Sequence, residues 1–176
     1  MKKLVVLFAM VAAAAFAFAN SDTASHTVQL NVPEVVLIDV NNAGVVTLDI
    51  VAPAQGGLVP TGETDSTKYL WYTAINSGVT TRTITVAWGG ADAAPAGTHL
   101  EVEALSVTGG AGTRVAGGRT ITNVAQTIVT AIPSCVTGQA ANGANLEYRL
   151  IVDTPASLLF GDNHLVTITF TLTDGA

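Results

Sequence analysis

Beyond residue 26 the hydrophobic positions of this chain recur at every second residue, the period of a pleated strand with one dry face. Val28, Leu30 and Val32 alternate with Thr27, Gln29 and Asn31 until Pro33 interrupts the run. Ile84, Val86 and Trp88 oppose Thr81, Thr83, Thr85 and Ala87. Leu146, Tyr148, Leu150 and Val152 oppose Glu147, Arg149, Ile151 and Asp153, and Val166, Ile168, Phe170 and Leu172 oppose a row of threonines. Each pattern predicts a strand buried on one face and wet on the other.

Residues 34–40 are almost continuously apolar, which predicts a strand covered on both faces. The turn cluster Asn41-Asn42-Ala43-Gly44 then leads into a return strand over residues 45–51. Further strands are predicted over residues 68–76, 81–88, 99–107, 124–132, 145–153 and 164–173. Within 99–107 the phase slips, because Leu100 and Val102 share one parity and Leu105 and Val107 the other. A bulge near Ala104 accounts for the slip. Loops rich in Pro, Gly and Ala separate the strands, and no segment sustains a helical period. The pattern predicts an all-β fold, a two-sheet antiparallel β-sandwich of Ig-like or jelly-roll-like type with about eight or nine strands.

The first 19 residues follow a different logic. Lys2 and Lys3 precede an apolar stretch from Leu4 to Phe16, and Ala17-Phe18-Ala19 forms a small-x-small cleavage site. The stretch falls short of the roughly 20 apolar residues of a membrane span, so a cleaved signal peptide is predicted rather than an anchor. The mature chain then runs from Asn20 for 157 residues, one domain's worth. It is expected to be secreted, extracellular or at the cell surface, with no integral membrane span after cleavage.

Composition narrows the partners. Without Lys2 and Lys3, five basic side chains face thirteen acidic ones, a net charge of −8. Such a chain repels phosphate backbones, and nucleic acid is excluded as a partner. Charged residues make up 11% of the chain against an average of about 25%. Hydrophobic residues make up 49%, the opposite of a disordered composition. The surface must therefore be built from Thr, Ser, Asn, Gly and Ala, which suits packing against copies of the same chain. Cys135 is the lone cysteine, so no internal disulfide can form. It is a candidate intermolecular thiol, with a small inert side chain as the alternative.

No chemistry-bearing constellation emerges. The glycine-rich stretch over residues 109–120 lacks the Gly-Lys-Ser/Thr and the following helix of a phosphate loop. It is expected to be a hairpin-end loop whose Arg114 and Arg119 face solvent. His26, His99 and His164 have no metal-ligand spacing, and Glu101 with Glu103 is expected to form a solvated strand face. A nucleophile elbow is absent. No catalytic residue, metal or cofactor is predicted, and the chain is not expected to be an enzyme. Trp71 and Trp88 are candidates for a carbohydrate-stacking platform, against core packing as the alternative. Tyr69 and Trp71 share a parity that differs from Tyr72, so the three cannot line one face.

The signal over residues 1–19, the alternating segment from His26 to Val32 and the closing run from His164 to Thr173 resemble the small exported β-sandwiches of bacterial surface structures: fimbrial subunits and spore-coat or biofilm-matrix proteins. The cysteine pair common in chaperone–usher pilins is missing, as is a Leu-Pro-x-Thr-Gly tail. The resemblance implies a structural or adhesive role through association with copies of itself or other surface proteins. It also implies strand addition, in which an extended segment of one subunit completes a neighbour's sheet. Residues 20–32 are the candidate exchangeable strand, with Val28, Leu30 and Val32 as its plugs. The alternative is that they form the first strand of their own domain. A ligand-binding module for carbohydrate is the contrasting function.

Overall fold

A computed structural model describes residues 24–41, 44–77, 81–90 and 93–174. The proposed signal peptide and Asn20 lie outside them. The chain divides into two units, Met1–Val32 and Pro33–Ala176. In the first, residues 24–32 belong to no strand. The second is all-β, with every strand pairing antiparallel.

Its strands in chain order are β1 (Val35–Val40), β2 (Ile50–Val51), β3 (Thr61–Gly62), β4 (Thr64–Ile75), β5 (Arg82–Trp88), β6 (Thr98–Val107), β7 (Thr113–Arg114), β8 (Arg119–Thr120), β9 (Gln126–Ile132), β10 (Cys135–Val136), β11 (Ala144–Val152) and β12 (Ile168–Asp174). One sheet runs β1-β4-β11-β6-β8, with β10 also on β4, and a second runs β12-β5-β9-β7. β2 and β3 form a small separate ladder. Twelve strands therefore replace the eight or nine expected. The excess comes from two-residue ladders inside segments rich in Gly and Pro, too short to imprint a period on the sequence.

Alternation sorts the side chains as the sequence pattern requires. Leu70, Tyr72 and Ala74 of β4, Ile84 and Val86 of β5, and Leu146 of β11 are buried, with their odd neighbours facing out. Side chains from both large sheets join one hydrophobic cluster. The expected bulge is present: β11 pairs Asn145 with Ser106 and Leu146 with Ala104, which leaves Leu105 as the extra residue.

Three strand expectations are corrected. β1 is not covered on both faces, because it is an edge strand whose Leu37 is 64% exposed. The return strand over 45–51 shrinks to Ile50–Val51, because β1 takes β4 as its partner rather than the segment that follows it. The closing strand starts at Ile168 rather than His164. Ile168 lies opposite Trp88, the last residue of β5, so residues 164–167 run on beyond the end of their neighbour.

Candidate functional site

The candidate plugs are fully presented. Val28, Leu30 and Val32 are 64%, 86% and 80% exposed, and on the polar parity Gln29 Nε2 donates to Asn31 Oδ1 at 3.1 Å. Residues 24–32 carry no strand. An apolar row with strand patterning and no ladder partner is what a sheet edge can recruit.

The second unit contains a concavity. A groove of about 1060 Å³ opens where β12 begins, lined by Val40, Leu48, Leu100, Leu150, Ile168 and Phe170. Both large sheets contribute, through Leu100 and Leu150 on one side and Ile168 and Phe170 on the other. Val45, Leu159, Phe160 and Leu165 stand exposed at its rim. At its floor the buried Lys68 donates from Nζ to the carbonyl of Gly44 at 3.1 Å, fixing the start of the 44–49 segment. Beside it, burial and the neighbouring Asp65 carboxylate push the Tyr148 hydroxyl well above the usual tyrosine range. Sequence reasoning missed this groove, because its walls come from segments expected to be ordinary strands. The available signal is the surplus of apolar residues in 158–166, a stretch whose sequence predicts a loop and a strand start.

The two tryptophans do not come together. Trp88 packs against the core cluster with its indole nitrogen buried and without a hydrogen-bond partner. Trp71 sits on the opposite parity to the buried Leu70 and Tyr72, so core packing fails for it. It lies in a shallow depression of about 500 Å³ with Leu37, Asp39 and Gln139, and its Nε1 donates to the carbonyl of Ala140 at 3.0 Å. A shared stacking platform of Trp71 and Trp88 is thereby corrected to a single outward Trp71.

Cys135, opposite Ala74 in the β10–β4 ladder, packs against the core cluster. Burial pushes its thiol pKa up, only partly offset by a backbone hydrogen bond at Ala74, which disfavours the reactive thiolate. Among the described residues, no three His, Cys, Asp or Glu side chains gather to hold a metal ion.

The glutamates depart furthest from expectation. Glu103 is buried, not solvated, and its carboxylate accepts from Arg114 Nη1 at 3.1 Å, Gly117 N at 2.9 Å and Arg149 Nη2 at 3.0 Å. Arg149 also reaches Glu101 at 3.4 Å and Glu147 at 3.3 Å. The glycine-rich loop is therefore strapped to the sheet by Arg114, while Arg119 donates from Nε to the carbonyl of Thr127 at 3.3 Å. With Arg82 paired to Glu34 and Asp174, every basic side chain after Lys3 is engaged internally.

No family model, curated protein or solved structure matches this chain. Among the described residues no helix is long and apolar enough to cross a membrane.

Proposed function

We propose that this chain is a secreted structural or adhesive subunit of a bacterial cell surface or matrix. In this reading its two large sheets pack as a β-sandwich and it associates with copies of itself by strand addition. The observation that carries the reading is the exposure of Val28, Leu30 and Val32 on a strand-patterned segment that belongs to no strand. Such a row is costly to leave in water and ready to pair, so it has a use only if something covers it. The export pattern of residues 1–19 supports delivery to the surface, and the low charge supports a surface that packs against its own kind.

The test is electron microscopy and size-exclusion chromatography of the purified chain from Asn20 onward. Ordered assemblies are expected, and deletion of residues 20–32 should abolish them while circular dichroism stays β-rich. Unchanged assembly by the deleted chain rejects the reading. A second reading, carbohydrate binding, is favoured by the outward Trp71 between Asp39 and Gln139. Retention on polysaccharide that disappears with Trp71→Ala, from a chain that stays single, would select it instead.

A further inference from the structure

We propose that the groove at the start of β12 is the acceptor site for residues 26–32 of a second copy of this chain, which enter as an added strand along the free edge of β12. The inference rests on the strand-addition reading and assigns it a location.

Four observations converge on this groove. First, β12 has a neighbour, β5, on one side only, so its other edge carries unpaired backbone groups that a lipid or small apolar ligand could not satisfy. Second, two segments with strand patterning flank the groove without ladder partners. Residues 44–49 precede β2, and residues 164–167 overhang the end of β5 and lead straight into β12. Their main-chain bonds sit at the ends next to β2 and β12, where Asp49 O accepts from Glu63 N at 3.0 Å and Thr167 O accepts from Gly89 N at 2.8 Å, and an inserted strand pairs along the rest. Third, dimensions match. The segment from His26 to Val32 has seven residues, as β12 does, and each spans roughly 23 Å at about 3.3 Å per residue. Fourth, the segment from Thr27 to Val32 is uncharged, so its apolar parity can seat against Leu48, Leu100 and Phe170 without desolvating an ion.

A second copy is the occupant that the fold's polarity favours. Glu34, two residues after Val32, is held by Arg82 beside Asp174, at the far end of β12 from the groove. Only Pro33 and Glu34 separate the apolar segment from β1, whose own course runs from that end to Val40 at the groove. A segment seated in a neighbour's groove makes each subunit both donor and acceptor, and such head-to-tail contacts propagate into filaments where the rotation does not close a ring.

The experiment uses the chain from Asn20 onward in a Cys135→Ser background. One population carries Leu30→Cys. A second carries Phe170→Cys in the groove or, as a position that folding tolerates, Val45→Cys at its exposed rim. Mixed before assembly and then oxidised, the two populations should form a mixed disulfide several-fold above a control pairing Leu30→Cys with Val136→Cys. Val136 is 73% exposed and away from the groove. Assemblies that form while groove and control positions cross-link equally would overturn the groove and leave strand addition through another edge. Absence of any assembly would overturn both. Groove-specific cross-linking at either Phe170→Cys or Val45→Cys supports the proposal.

Discussion

The hydroxyl of Tyr72 donates to the main-chain carbonyl of Ala111 at 2.7 Å, joining the middle of β4 to the loop that precedes β7. The two residues are 39 positions apart, one in a strand of the first large sheet and the other in a loop leading into the second, and both are only 3% exposed. The bond therefore fixes how the glycine-rich loop closes over the shared core. Tyr72→Phe keeps the ring and leaves a buried acceptor unmatched, at a cost of about 1–3 kcal/mol. Urea unfolding should show a lower midpoint with an unchanged slope.

The same burial makes stability fall in alkali. Burial, with a smaller contribution from Cys135, pushes the Tyr72 hydroxyl far above its ordinary value, and burial does the same for Tyr148. The folded chain keeps both protons, whereas the unfolded chain loses them near pH 10. Both contributions are complete below about pH 10 and are lost as pH rises from there toward the folded values, by about 1.4 kcal/mol per pH unit for each tyrosine. Denaturant titrations between pH 8 and 12 should show the decline. Replacing both residues with Phe should flatten it.

Arg82 gathers three elements at one corner. Its side chain is 5% exposed, Nη1 lies 2.9 Å from Asp174 at the end of β12, and Nη2 pairs with Glu34 ahead of β1. Nε donates to Asn76 Oδ1 at 2.9 Å. Glu34 and Asp174 are 49% and 74% exposed and can rehydrate, so each pair counts as a screened contact rather than a buried one. Arg82→Met should cost about 2 kcal/mol, mainly through the lost charge-assisted bonds. Arg82→Lys should recover little of it, because an ammonium cannot reach three partners with the guanidinium's planar fork. Thermal melts of the two variants check the ordering.

How far the chain could be read follows from which forces leave a local trace. β5 and β11 were legible because each carries its burial as a period of two, and the Leu105 bulge was legible as a slip in the period of β6. β7, β8 and β10 were not, since two paired residues in a glycine-rich loop are positioned by their neighbours. Glu103 misled for a related reason. Its parity placed it correctly on the outer face, but that face is covered by Arg114 and Gly117 from a loop whose path no local pattern encodes. The segment carrying Val28, Leu30 and Val32 was recognisable from alternation alone, whereas the groove is a product of tertiary packing between β11, β6 and β12.

Gly143 supplies the sharpest steric test. It sits just before β11 at φ +85°, a conformation that costs a residue with a Cβ roughly 1–2 kcal/mol. Its amide donates to Thr108 Oγ1 at 2.6 Å and its carbonyl accepts from Thr108 N at 2.9 Å, so the backbone cannot rotate away without breaking both. A Cβ at this position would collide with the carbonyl of Leu70, itself part of the β4 ladder. Overpacking against rigid backbone adds about 1–3 kcal/mol, so Gly143→Ala should lose about 3 kcal/mol or more. Gly117 has nearly the same dihedral, φ +87°, but open space around its missing side chain. Gly117→Ala should therefore show only the conformational part, about 1 kcal/mol. Equal losses in chemical denaturation for the two variants would mean that the close approach of Gly143 to Leu70 does not constrain the fold.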